Sequence, residues 1–235
     1  MIDIKNLHKR FGKLTVLDGL DLEITKGGIF AILGPNGSGK TTLIKCLLGM
    51  VIPNKGEITI NNKSVLKKWD YRNNLNYLPQ IANFPSNLTV FELFKMVKNL
   101  RPKEANEQEL IDIFGLKEFL QKKLGNLSGG TKQKVNLALA FMFDSDLLIL
   151  DEPTTGLDPI ALIHLKDLIV REKEKGKTIL ITTHIMSFVD EMADEIVFLL
   201  DGKIYFKGSG DDLKKQTKID NLEHAIASLI SKNYV

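Results

Sequence analysis

Cysteine is nearly missing from this chain: Cys46 stands alone. No intrachain disulfide can form, which excludes a disulfide-stapled secreted scaffold and makes a reducing compartment the expectation. Cys46 falls among Leu43, Ile44, Leu47 and Leu48, so it reads as a buried, inert thiol. Long hydrophobic runs are missing too. Apolar stretches such as Leu137 to Phe143 and Leu147 to Leu150 fall far short of the roughly 18–20 residues a membrane-crossing helix needs. The start, Met-Ile-Asp-Ile, has no basic region leading into an apolar stretch, so no signal peptide is expected. A cytoplasmic protein is therefore expected, unless something else holds it at a membrane. No charge of one sign dominates. With 32 Lys and Arg against 29 Asp and Glu, interleaved along the chain, the net charge is only +3, and no nucleic-acid partner is expected. The four histidines and one cysteine show no metal-ligand spacing, and there is no internal repeat or low-complexity tract.

What remains is an ordinary globular composition of 43% apolar and 26% charged residues, in a chain of 235 that can bury a core without staples. Near the start, Ile2, Ile4, Val16, Leu20, Leu22 and Ile24 follow the period of two that marks half-buried strands. Ile29 to Leu33 is a short continuous apolar run ending in a Gly-rich turn, as a fully buried parallel strand would be. A helix is expected from Lys40 to about Leu48, and a strand over Gly56 to Ile60, closed at Asn61-Asn62. The middle of the chain then changes period. Val90, Leu93, Phe94 and Val97 recur at helical spacing, as do Leu110, Ile113, Phe114 and Leu116 within 107–120, where Gly115 interrupts. A helical subdomain over about 81–142 follows. Beyond it lie buried strands at Leu147–Leu150 and Thr178–Thr182, helices at Ala161–Glu174 and Ile185–Met192, and a hairpin turning at Asp201-Gly202. A helical tail is expected over about 211–235, with Leu222, Ala225, Ile226 and Leu229 on one face. Alternating strands and helices predict a single α/β domain: a mostly parallel sheet with flanking helices, an antiparallel β subdomain and the helical subdomain.

Three motifs carry chemistry. Gly34-Pro35-Asn36-Gly37-Ser38-Gly39-Lys40-Thr41 matches G-x-x-x-x-G-K-[ST] between a buried strand and a helix. Glycines let successive backbone N–H groups turn toward a phosphate, and the helix N-terminus adds its positive end. Lys40 is expected to reach the β- and γ-phosphates, the Thr41 hydroxyl to ligate Mg²⁺, and Thr42 to join the binding set. This motif alone says nucleotide, and leaves transporter, kinase, GTPase and helicase open. Asp151 and Glu152 end the Leu147–Leu150 strand, where open α/β sheets bind ligands. Asp151 suits the Mg²⁺ shell, and Glu152 is placed to orient or deprotonate an attacking water. Leu127-Ser128-Gly129-Gly130 precedes a helix and makes a second anion nest.

In the order of these motifs the chain resembles the ABC ATPases over nearly its whole length, with Thr131 in place of the usual final glutamine of L-S-G-G-Q. The resemblance implies the P-loop NTPase fold with a RecA-like sheet, and ATP with Mg²⁺ as cofactors. It also implies a head-to-tail, ATP-dependent homodimer in which Ser128, Gly129 and Gly130 close on nucleotide held by the other copy. A separate polytopic membrane permease is implied, with this chain peripheral on the inner face of the membrane. By the same resemblance Phe11 stacks on adenine, though a core residue of an edge strand competes. Gln80 contacts Mg²⁺ or water, Asp158 in Gly156-Leu157-Asp158 communicates across the dimer, and His184 contacts the γ-phosphate. Pro79 to Val90, Ser128 to Lys134 and Asn221 to Ile226 are similar to ATPases of nitrous-oxide reductase maturation. That narrower likeness implies a copper- and sulfur-processing system with a periplasmic maturation protein. The alternatives are an exporter ATPase for drugs, lipids or polysaccharide, and a non-transport ABC ATPase.

Overall fold

The computed structural model describes residues 1–66, 69–101 and 103–233, with side chains through 231. Strands β1 (Ile2–Phe11) and β2 (Leu14–Ile24) form an antiparallel hairpin, in which Ile2, Ile4, Leu20, Leu22 and Ile24 are buried. β3 (Gly28–Leu33) leads through the glycine-rich turn into α1 (Lys40–Leu47). β4 (Lys55–Ile60) and β5 (Lys63–Ser64) complete a four-stranded antiparallel sheet in the order β2-β1-β4-β5. After β6 (Leu75–Leu78) come α2 (Val90–Leu100), α3 (Glu107–Ile113) and α4 (Gly129–Phe141). β7 (Leu147–Asp151), α5 (Pro159–Glu174), β8 (Thr178–Thr182) and α6 (Met186–Met192) alternate next. The chain ends through β9 (Glu195–Leu200), β10 (Lys203–Gly208), α7 (Gly210–Thr217) and α8 (Leu222–Asn233).

The second sheet runs β10-β9-β3-β8-β7-β6, parallel throughout except for β10. Its central strands are buried on both faces, which is why they read as continuous apolar runs. The pleat sends successive side chains to opposite layers. Leu147 and Ile149 join α1 and the antiparallel sheet in one core, while Leu148 and Leu150 join the helices α2 to α5 in another. Ala31, Leu33, Ile196 and Phe198 meet the C-terminal helices in a third. Each fully buried leucine or isoleucine contributes about 1.5–3 kcal/mol.

Two helical stretches are divided, the first of them at the Gly115 interruption visible in the sequence. The 107–120 segment is not one helix: α3 stops at Ile113, Gly115 takes φ +62, and Lys117–Phe119 form a separate 3-10 turn. The tail is also two helices. A Ser209 capping box starts α7, and Lys218 in the left-handed region ends it before α8 turns Leu222, Ala225 and Ile226 into the core. Residues 234 and 235 of the expected tail lie outside the described residues.

Arg101, at the end of α2, fastens that helix to the base of the sheet. Its guanidinium donates to Leu75 O (2.8 Å), to Arg72 O (3.2 Å) and to Asn76 Oδ1, and lies 5.2 Å from the centre of the Phe143 ring. Asn76 is itself buried and donates to Phe143 O at 2.7 Å. Arg101→Ala leaves a buried amide oxygen without its donor, so a loss of about 2–3 kcal/mol is expected. For a chain of this length that lowers the melting midpoint by roughly 5–10 °C in a thermal scan.

Candidate functional site

Gly34 opens the turn after β3 with φ +152, and a Cβ there would lie 2.0 Å from Leu199 O. Only glycine fits so close to β9. Gly39 takes φ +106 as the N-cap of α1, where a Cβ would press on Leu17 Cδ2 and Val16 O, each 2.9 Å away. The helix thus starts with no side chain over its first N–H groups, which leaves them directed at whatever occupies the turn. Lys40 curls over this loop, donating to Gly34 O (2.6 Å) and Pro35 O (3.1 Å). Burial pulls its ammonium pKa below the ordinary lysine value, against the opposing pull of Glu152 and Asp151. Ser38 is buried with a hydroxyl that has no partner. A buried polar atom of this kind calls for a ligand or water.

A cleft of about 260 Å³ lies over the loop, lined by Leu14, Val16, Asn36 to Thr42, Gln80, Asp151 and Glu152. It opens at the C-terminal ends of β3, β6 and β7, the edge at which open parallel sheets hold ligands. Asp151 is 4% exposed and accepts a hydrogen bond from the Thr182 hydroxyl. Glu152 follows in the left-handed region at φ +51, a strain of about 1–2 kcal/mol for a residue with a side chain. Its N–H donates to Thr182 O (2.9 Å) and Thr182 Oγ1 (3.2 Å), which holds the strained turn. His184 follows β8, with Nδ1 3.0 Å from Glu152 Oε2 and an exposed ring. Beside Asp151, Tyr77 has its phenol pushed up to about 12, by burial first and then by the Asp151 charge.

The sequence-derived set therefore divides in space. Gly37, Ser38, Gly39, Lys40, Thr41, Thr42, Asn36, Gln80, Asp151 and Glu152 line one cleft, Gly34 and Pro35 join it only through the carbonyls that accept from Lys40, and His184 reaches it through Glu152. Phe11 is 49% exposed near the tip of the β1–β2 hairpin, with Lys9 Nζ 4.8 Å from its ring centre. Phe11 is thus not a core residue, and the β2 residues lining the cleft are Leu14 and Val16. Ser128, Gly129, Gly130 and Asp158 are not in that lining. Ser128 caps α4 by accepting from Thr131 N at 3.2 Å, and Asp158 caps α5 by accepting from Ala161 N at 2.9 Å. Residue patterns pointed past Thr182, which grips both carboxylate residues. Its one sequence signal is the threonine pair before His184.

The donors fit a nucleotide with a hard cation. Hydroxyl, amide and carboxylate oxygens from Thr41, Gln80 and Asp151 supply one formal charge. Mg²⁺, which keeps phosphate oxygens and water as its other ligands, needs no more. Among the described residues no group of three or more His, Cys, Asp or Glu could hold a metal by itself. No helix among them is long and apolar enough to cross a membrane. Cys46 is buried and its thiol is pushed up to about 11, chiefly by burial.

Comparison with known proteins agrees with this geometry. The ABC transporter family profile matches residues 17–155. The chain is 35% identical over 225 residues to the lantibiotic transport ATP-binding protein SrtF of Streptococcus pyogenes, covering 94% of this chain and 96% of that protein. It is 32% identical to the L-cystine import ATP-binding protein TcyN of Bacillus subtilis, over 94% of this chain and 90% of the relative. Among solved structures, an ATP-binding subunit of an ABC transporter superposes with a TM-score of 0.90 at 29% identity, covering 98% of this chain and 99% of that one. A dimeric ATP-binding cassette in a post-hydrolysis state with ADP and Pi gives a TM-score of 0.78 at 26% identity, covering 89% and 98%.

Proposed function

This chain belongs to the ABC transporter ATP-binding family, and from that membership we propose that two copies close head-to-tail on ATP to drive a separate membrane permease. ATP with Mg²⁺ is its substrate, and hydrolysis to ADP and phosphate its reaction. The observation that carries the proposal is spatial: one cleft gathers Lys40, Thr41, Gln80, Asp151 and Glu152, while Ser128 to Gly130 stand outside it. A second phosphate nest that does not reach its own cleft is suited to the nucleotide of a partner copy. In this reading the Gly34–Thr42 loop binds the phosphates. Thr41, Asp151 and Gln80 hold the ion, Glu152 orients or deprotonates water, and His184 senses the γ-phosphate beside Glu152. Phe11, at the open hairpin tip, stacks on the base, and Asp158 lies at the junction between copies. Closure draws the Gln80 loop and α2 together, and hydrolysis releases them. Capture of this chain from detergent-solubilised membranes should bring down a polytopic permease. Recovery with ribosomes or nucleic acid instead would sink the transport reading.

For cargo, export has the wider support. Besides the lantibiotic protein, relatives include a daunorubicin resistance ATP-binding protein of Streptomyces coeruleorubidus, 33% identical over 94% of this chain and 72% of its own length. Service to nitrous-oxide reductase maturation, with a periplasmic partner, is the second reading. Its support is the likeness of Pro79 to Val90, Ser128 to Lys134 and Asn221 to Ile226. Loss of copper from nitrous-oxide reductase on deleting this chain would favour the second; a fully loaded enzyme would leave export.

A further inference from the structure

Three residues at helical spacing on α4, Gly130, Gln133 and Lys134, face the segment that follows Glu152. A Cβ on Gly130 would lie 2.7 Å from Gly156 O, so the two backbones touch. The buried Gln133 donates from Nε2 to Pro153 O at 3.1 Å. The Lys134 ammonium lies 2.6 Å from Asp158 Oδ2. On the other side a Cβ on Gly129 would meet nothing within 4 Å. One edge of the Ser128–Gly130 turn is therefore bound to its own subunit and the other is open.

We propose that Lys134 is a positioning residue for the ATP site shared with a second copy. By holding Asp158 it fixes the angle at which the Ser128–Gly130 nest meets the partner's nucleotide. The proposal rests on the head-to-tail reading above and adds a residue to it. Lys134 is outside the cleft and has no part in the phosphate loop. Its hydrogen bond is the first cause of the lowered Asp158 carboxyl pKa, ahead of the Ala161 N–H. Gln133 contacts the residue after Glu152, and Lys134 the N-cap of α5. The nest offered outward is thus rigidly joined to the stretch that carries the subunit's own Glu152. Rearrangement at one nucleotide would tilt the nest that serves the other.

The test uses the Glu152→Gln chain, which should accumulate as an ATP-closed dimer visible by size exclusion. Adding Lys134→Met should raise the protein concentration for half-maximal dimer at saturating ATP about ten-fold, because each symmetric dimer uses the contact twice. Binding of a fluorescent ATP analogue to the dilute single chain should stay within about two-fold, since the phosphate loop is untouched. Lys134→Arg, which keeps the charge at the same reach, should restore the dimer midpoint. An unchanged midpoint with Lys134→Met overturns the proposal. So does a parallel loss of single-chain binding and melting temperature, which marks a merely structural residue. If the Glu152→Gln chain stays monomeric at saturating ATP, the head-to-tail reading itself fails and takes this inference with it.

Discussion

Glu152→Gln should bind Mg-ATP as the unaltered chain does while turnover falls by about two to four orders of magnitude. Glutamine fills the same space and can still accept from His184, 3.0 Å away in the present structure. It cannot take a proton from water. The backbone at Glu152 is held independently of the side chain, by the two contacts to Thr182, so the strained φ of +51 survives the change. Removing a negative charge next to bound phosphates also lowers repulsion, which favours ATP over ADP in the closed state. A steady-state phosphate-release assay, run beside equilibrium nucleotide binding, separates the two quantities. Wild-type turnover in this variant would remove Glu152 from the chemistry.

Gly34→Ala should be the most damaging single methyl group in the site. Its Cβ would sit 2.0 Å from Leu199 O and 2.7 Å from Ser38 Oγ, at a φ of +152 that side chains avoid. Leu199 lies in β9, whose pairing with β3 reaches Leu33 and Phe198, so the carbonyl cannot retreat without breaking the sheet at the cleft. A cost of about 3–5 kcal/mol is expected, and with it a melting midpoint lower by roughly 10 °C or more. Nucleotide affinity should fall by about a hundred-fold, since the N–H groups of the turn lose their common focus. Gly37→Ala is the control. It meets nothing within 4 Å at φ +82, and should cost about 1–2 kcal/mol from backbone strain alone. Scanning calorimetry and nucleotide titration of the pair check both expectations. Equal effects at the two glycines would contradict the steric account.

The phosphate loop and the acidic strand end were legible in the sequence because their chemistry is local. Glycines at fixed offsets, a lysine at a helix start and two carboxylates after an apolar strand each occupy a few consecutive residues. The doubly buried strands were legible for the same reason, as short runs without polar interruption. What stayed hidden depends on distant segments meeting. Thr182 grips Asp151 and Glu152 from the neighbouring strand, and the grip exists only once β7 and β8 pair in register. Leu14 and Val16 line the cleft, and the period of two that includes Val16 marks a covered face without showing what covers it. The period of the tail marked its buried face correctly but could not show the left-handed Lys218 that divides it. Likewise the apolar spacing through Leu116 ran past Gly115, whose positive φ ends the run in space. Side-chain periodicity reports which face is covered. It does not report where the backbone turns.

In the proposed head-to-tail pair, each ATP site is completed by a second copy of the chain. Mixing two inactive variants tests it most directly: Lys40→Met, which spoils the phosphate loop, and Ser128→Arg, which spoils the nest. In a mixed head-to-tail pair, one site carries both defects and the other carries none. Neither variant alone should turn over ATP, and mixing should recover up to about a quarter of wild-type activity for random pairing. Continued inactivity of the mixture, with mixed pairs demonstrated, would place the whole site within one chain and contradict it.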